Sequence, residues 1–478
     1  MERILRLARF LSTPETQVFV SALVALLIWG AVAAGLLRNT FVPEFDVALR
    51  DLALQMSVDS RADDAPGVLH LSFDNNALQS TGLPARVPAD ALASMLRTAR
   101  PAGGAVVVDV DLATRDDFDE MAPLLALLRE WGDDPDAALL VLAHPSYSFS
   151  LLRLPMYGML DQIVRAGPNI AWGDVGAYAD HDGIIREQVF WTCHQPGDAS
   201  GAVIIPSASL FVWARHHSPS PAAAVTAVER MFDSQQGLCE PDARIRFAAF
   251  GDEHHFHRSG LIEYRTTIDA MLDDAGERVR YAPDGLPRLM TLGFCEIDPG
   301  ACGRQVQAPE LSHLVGGRLV LVSASNDFSG DNHLTPVGMM PGAVILANAG
   351  RALINSGPPR TAHWTTQLGV IGCVLLVIWT VWAIFERLNK RAQRVRNPRL
   401  RLVADSLSNP IFVKAYSLIA ADLVAFAYYY HFFVSASWNG LIAVSWGATF
   451  AMAAAELREW AERRWVNAGA PAVQEGNV

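Results

Sequence analysis

Short runs of Val, Leu and Ala alternate along this chain with segments whose apolar residues recur at helical spacing, and the clearest case is residues 67–112. Gly67-Val-Leu-His-Leu-Ser-Phe-Asp74 is followed by a polar turn, then by Ala89–Ala99 with Leu92, Met95, Leu96 and Ala99 on one face, then by Gly104-Ala-Val-Val-Val-Asp-Val-Asp111. This pattern predicts a strand, a crossover helix and a parallel strand. The same reasoning predicts a helix over Phe118–Trp131, a strand over Ala137–Leu142, a helix over Ser150–Ala166 and a strand end at Asn169–Trp172. Asp180-His-Asp-Gly183 reads as a turn leading into Ile184–Trp191, Pro206–Arg215 as a helix and His217–Ala223 as a loop. Arg244–Phe250 and Leu261–Tyr264 read as a pair of strands, Arg318–Ser325 as a core strand and Pro341–Asn355 as a last helix. The expected fold class is α/β, a mostly parallel sheet with flanking helices, to which α-helical transmembrane segments are added.

Those added segments are four apolar runs at 17–37, 364–385, 411–434 and 438–455, each dense enough to cross a bilayer. The first follows Arg3, Arg6 and Arg9, as a signal peptide would, but it is too long for an h-region and lacks a clean cleavage site, so a retained anchor is expected. Pro43–Val58 reads as a helix leaving that anchor. Charge sets the orientation. Arg387, Lys390, Arg391, Arg394, Arg396, Arg399 and Arg401 crowd the segment 386–410, which places it in the cytoplasm. Residues 1–16 and 456–478 are then cytoplasmic too, and residues 38–363 lie outside. The basic segments Met1–Phe10 and Glu386–Arg401 carry about +8 of a net −12, which leaves −20 on the remainder. A folded domain this acidic is not that of a nucleic-acid binder. Asp422, inside the third run, is either a functional acid or a polar packing partner.

Four cysteines fall in the outside region, which suggests two disulfides in an oxidising compartment. Cys295 and Cys302 flank Asp298-Pro-Gly300, a turn able to join them, and Cys193–Cys239 is the other pair. Zinc is the alternative, without any C-x₂-C pair to favour it. Asp74, Asp109 and Asp111 stand near the carboxyl ends of their strands, where open α/β sheets place a ligand crevice. With Asp116, Asp117, Asp119, Asp327, Asp331 and His333 they form an acidic group. It could hold Ca²⁺, Mg²⁺ or a cationic ligand, or else cap strand and helix ends. His254-His255-Phe-His257 could bind a transition metal, with a solvated loop as the blander reading. No nucleophile elbow is present.

Several segments taken together resemble the CHASE2 sensory domain of bacterial transmembrane receptors. They are Phe45-Asp46 with Arg50, Ser72-Phe73-Asp74, Gly82-Leu-Pro84 with Arg86, and the strand ending at Asp109. Further on, Asp182-Gly183-Ile-Ile-Arg186 resembles the family's Asp-Gly-x-x-Arg turn. Arg318-Leu-Val-Leu-Val-Ser, Asp331, Thr335-Pro336, Pro341-Gly342 and Ala347-Asn348 resemble its last strand and helix. One span before the domain and three after it are also the family's arrangement. The family's Trp-Pro-Trp-x-Arg segment is reduced here to Leu83-Pro-Ala-Arg86, and no kinase, cyclase or phosphatase signature follows the last span.

The resemblance implies a sensor in the bacterial inner membrane that is not an enzyme and needs no cofactor. It would bind a signal ligand outside the cytoplasm and act through a separate cytoplasmic or membrane partner. Its ligand set would be Asp74, Arg86, Asp109, Asp111, Asp182, Arg186 and Asp331. If Arg86 and Arg186 reach the acids, they form a neutral network that braces the fold without a metal ion. If they point elsewhere, the cluster is a cation or ligand site. A periplasmic metal-dependent hydrolase and a scaffold subunit of a membrane complex are the alternatives, and self-association is left open. The topology has a direct check. Reporter fusions at Asn355 and Asn397 are expected to give opposite signals, and matching signals would refute the arrangement.

Overall fold

The computed structural model describes residues 65–81, 87–145, 154–180, 182–194, 203–233, 237–240, 243–250, 252–262, 287–303, 311–325 and 331–357, with isolated positions 51, 380, 383, 384, 387 and 391. Among these no helix is long and apolar enough to cross a membrane. The runs 17–37, 411–434 and 438–455, with Asp422, lie outside the described residues, as do the two ends at 1–16 and 456–478. Only isolated positions of 43–58, 364–385 and 386–410 are described.

Residues 54–360 form one compact unit. In chain order it runs β1 (Val68–Phe73), α1 (Asn75–Thr81), α2 (Ala89–Ala99), β2 (Ala105–Asp109), α3 (Phe118–Asp133), β3 (Leu139–Ala143), α4 (Pro155–Ala166) and β4 (Ile170–Gly173). An excursion follows: β5 (Glu187–Val189), β6 (Trp191–His194), β7 (Val203–Pro206), α5 (Ala208–His217), α6 (Pro221–Phe232), β8 (Arg244–Ala249), β9 (Asp252–His257) and β10 (Ser259–Leu261). The chain then returns through β11 (Leu289–Gly293), α7 (Phe294–Ile297), α8 (Ser312–Val315), β12 (Leu319–Ala324), the hairpin β13 (Asn332–Thr335) and β14 (Gly338–Pro341), and α9 (Gly342–Ser356).

Six strands make one sheet in the order β11-β1-β12-β2-β3-β4, and every neighbouring pair is parallel. The last strand of this sheet in chain order, β12, is thus inserted between the first two, with Val68 opposite Leu319 and Val320 opposite Val106. Side chains alternate between faces along a strand. Leu69, Leu71, Phe73, Val106, Val108, Leu140, Leu142, Val320 and Val322 belong to one core with Leu92, Met95 and Leu96 of α2, Leu124, Leu128 and Trp131 of α3, and Met156 and Leu160 of α4. The opposite face is covered by α9 against β1 and β12, and by α5 against β2, β3 and β4.

Local signals explain the helix starts. Asp117 accepts the Glu120 N–H at 2.9 Å and opens α3, with Asp119 and Glu120 in the first turn. Ser220 accepts the Ala223 N–H at 3.3 Å and Pro221 takes the first helical position of α6. The expected loop over 217–223 is therefore corrected: Ser220-Pro221 is a helix start, and α6 runs on to Phe232. Residues 75–81, expected as a turn, form α1. The expected pairing of Arg244–Phe250 with Leu261–Tyr264 is also corrected. β8 pairs with the adjacent β9, and β10 pairs with β5, because a short hairpin closes less chain than a long one. His254, His255 and His257 consequently stand on a strand rather than in a loop.

Cys193 of β6 is bonded to Cys239, with Cα atoms 5.7 Å apart, and Cys295 of α7 to Cys302, at 5.5 Å. These are the two pairs expected from the sequence. They fasten the excursion and the approach to β12 respectively.

Helices α3 and α4 approach closely at Gly132, where an added Cβ would lie 2.9 Å from the Gly167 Cα. Gly132→Ala therefore sets a helix-propensity gain of about 1 kcal/mol against overpacking of about 1–3 kcal/mol. The obstacle is backbone, so overpacking is expected to win. The melting temperature should fall by several degrees, and a rise would show that the two helices separate freely.

Candidate functional site

All six strands point the same way, so their carboxyl ends gather at one edge, and the loops after β2, β3, β4 and β12 converge there. Approaching this edge, the face under α9 turns polar. His70 and Ser72 of β1 and Ser323 of β12 are buried. The His70 Nε2 lies 2.7 Å from the Ser323 hydroxyl, and its Nδ1 lies 3.3 Å from the Thr291 hydroxyl. The Ser72 and Ser325 hydroxyls are also hydrogen-bonded. One ring nitrogen can donate and the other accept, so a neutral imidazole fits this chain. Burial holds His70 neutral, with its pKa pushed down to about 4.

Asp109 is the next polar residue of that face, directly opposite Ser323 in the sheet. It lines a cleft of about 380 Å³ together with Asp111, Thr114, Ala143, His144, Pro145 and Val175. Burial first, and then the carboxylates of Asp331 and Asp174, push the Asp109 pKa up to about 8. Half-buried where the strand ends, the side chain is shifted toward its protonated form. Asp174 is buried, which raises its pKa, but Tyr178 donates to it at 2.8 Å and the Gly176 N–H at 2.9 Å. Asp331 is raised by burial too, while His333 at 3.3 Å and the backbone N–H groups of Gly342 and Ala343 favour its charged form. Asp331 thus sits on the N-terminus of α9, where the helix dipole favours an anion.

His144, which also lines the cleft, is backed by two aromatic rings. His144, at the end of β3, meets Tyr157 of α4 and Trp172 of β4 edge-on, and those two rings stack 5.5 Å apart. Burial pushes the His144 pKa down to about 4.

The structure divides the residues expected at the site. Asp109 and Asp111 line the cleft, and Asp331 acts on Asp109 from beside it. Asp111 also folds its own loop, accepting the Ala113 N–H at 3.0 Å and the Thr114 hydroxyl at 2.7 Å. Asp74 is at a separate strand end, where it accepts the Ala77 N–H at 2.9 Å, opens α1 and packs on Gly293. The buried Arg186 guanidinium is gripped by Asp180 at 2.9 Å and Asp182 at 2.8 Å, forming a second cluster. Arg86 lies outside the described residues. Among the described residues, no group of three or more His, Cys, Asp or Glu could hold a metal ion.

Sequence reading missed Asp174, His144 and His70. The strand-end rule that found Asp109 also covers Asp174, which directly follows β4. His70 stood in plain view between Leu69 and Leu71, but only strand pairing brings Ser323 and Thr291 to it.

A family model described as the CHASE2 domain matches residues 23–385 of the chain. No curated protein and no solved structure matches it.

The Asp109 carboxyl yields a prediction whose sign can be worked out. In the fold it keeps its proton up to about 8, but in the unfolded chain only up to the ordinary 3.8. Between these values the folded state binds more protons, so stability falls as pH rises through the window. His70 and His144 act oppositely, losing stability as pH drops below their ordinary 6.5. Comparison with Asp109→Asn isolates the Asp109 contribution. Between pH 5 and 8.5 the melting temperature of Asp109→Asn should gain on the wild type by several degrees. A difference that stays constant across that range would count against the buried-acid reading.

Proposed function

The chain belongs to the CHASE2 family of sensory domains, and from that premise we propose that it is an inner-membrane sensor whose cleft at the carboxyl edge of the sheet recognises a positively charged small molecule. The four apolar runs anchor it, and residues 38–363 form the sensory region outside the cytoplasm. The signal passes to a separate partner protein in the cytoplasm or the membrane. The two disulfides support the oxidising compartment.

The observation that carries the ligand reading is the state of Asp109. Among the described residues no side chain donates a hydrogen bond to it, and the two charges acting on it, from Asp331 and Asp174, are both negative. A carboxyl held protonated in this way has a proton to exchange for a cation. Once ionised, it would attract an amine more strongly than a solvated carboxylate does. The donor set favours an organic cation over a metal ion, since among the described residues the cleft offers few ligands. Ala143, Pro145, Val175 and the His144 ring, itself backed by Tyr157 and Trp172, offer a largely apolar wall for the body of such a molecule. Nothing in this geometry favours hydrolysis.

The test is thermal melting of the full chain in detergent against Ca²⁺, Mg²⁺ and a panel of primary, secondary and quaternary amines. A ligand that binds only the folded state raises the melting temperature by mass action. At least one amine is expected to do so. Its apparent affinity should rise by up to about tenfold per pH unit below 8, because binding releases the Asp109 proton. Asp109→Asn should abolish the shift. If no cation of any kind shifts the wild type, the ligand reading is wrong.

A further inference from the structure

We propose that α9 carries the state of the cleft to the two ends of the sensory domain, with Arg351 and Asn355 clasping those ends together. This rests on the sensor reading above and names the element that reports for it.

Helix α9 touches the cleft region with its first turn and the opposite edge of the sheet with its last. At its start, the N–H groups of Gly342 and Ala343 bond the Asp331 carboxylate, one of the two charges acting on Asp109. The fit there is tight, because an added Cβ on Gly342 would overlap that carboxylate. The helix spans 15 residues, or roughly 22 Å at the usual rise. At its far end Asn355 accepts the Ala65 N–H at 3.1 Å through Oδ1, and Arg351 donates to the Pro66 carbonyl. Ala65 and Pro66 immediately precede β1, the first strand. The incoming and outgoing ends of the domain are therefore tied side by side by one helix.

Packing along α9 makes it move as a unit. Ala343, Ala347 and Asn348 are buried, and an added Cβ on Gly350 would lie 2.9 Å from the Val212 Cγ1 of α5. A close-packed interface of this kind shifts between discrete arrangements and does not deform smoothly. In the sequence, each tied end leads to an apolar run, residues 17–37 on one side and 364–385 on the other.

Amide hydrogen exchange on the full chain in detergent, read residue by residue by fragmentation mass spectrometry, tests this at pH 6 and pH 9. Asp174, Asp331, His333, His144 and His70 also face the cleft or α9, so Asp109→Asn at the same pH is the reference for ionising Asp109 alone. In the wild type, exchange at Gly342 and Ala343 and at Ala65 should rise together, on the order of tenfold relative to the reference at pH 9. In Asn355→Ala the first turn should respond as before, while the coupled change at Ala65 is lost. Arg351→Lys, which keeps the charge but not the fork geometry, should weaken it. A first turn that responds with Ala65 unmoved in the wild type would overturn α9 as the carrier and leave the sensor reading intact. An Ala65 response that survives in Asn355→Ala would overturn the clasp. Silence at both ends would overturn the carrier and the charge-sensitive cleft together.

Discussion

A parallel sheet covered on both faces has no solvated side on which to place polar residues, and that constraint governs this molecule. β1 obeys it at Val68, Leu69, Leu71 and Phe73, but carries His70 and Ser72 between them, and all six are buried. The alternation of the strand sends every one of these exceptions to the same side, under α9. Ser323 joins them from β12. Burying such groups is tolerable only with partners, and here the strands supply them to one another: a hydroxyl on each side of the imidazole and a second hydroxyl pair beyond. The polar seam ends at Asp109, where the sheet opens into the cleft.

At that opening the chemistry changes from satisfied to unsatisfied. Asp174 and Asp331 each have donors of their own, a tyrosine and a backbone amide for one, a histidine and a helix N-terminus for the other. These donors favour the charged form against the burial that raises both pKa values, and both acids act on Asp109. An arginine beside Asp109 would have neutralised the cluster into a brace. The buried arginine that the sequence offered, Arg186, is bonded instead to Asp180 and Asp182 in the turn where it arises. A local ion pair of this kind forms across four residues and organises that turn. At the cleft, among the described residues, no such cation acts on Asp109; burial and two neighbouring acids push its pKa up instead.

Much of the scaffold was legible in the chain. The strand–helix–strand rhythm from β1 to β4 follows from apolar periodicity alone, since a Val- and Leu-rich run between amphipathic segments buries itself best as a central parallel strand. Strand-end aspartates marked the edge of the sheet at which the cleft of Asp109 and Asp111 lies. What escaped was of two kinds. Helix α6 was hidden by its composition, because Ser-Pro-Ser-Pro looks like loop until Ser220 is seen bonding the Ala223 N–H. Strand β11, paired with β1 along residues 68–72, had too weak an apolar signal to declare itself, being an edge strand with one neighbour.

The sequence by itself determined the α/β class of the parallel-sheet domain, the edge of the sheet at which Asp109 stands, and which cysteines pair, because these depend on local pattern and short spans of chain. Only the tertiary structure decided which acids meet. Asp109 and Asp331 are separated by the whole excursion, and they meet because β12 inserts between β1 and β2. Asp74, equally acidic and equally at a strand end, opens α1 and packs on Gly293 of the neighbouring edge strand β11. No periodicity records that order of strands. It is set by how the sheet closes over two faces at once, a long-range packing choice that places one carboxylate in a cleft and another on a helix cap.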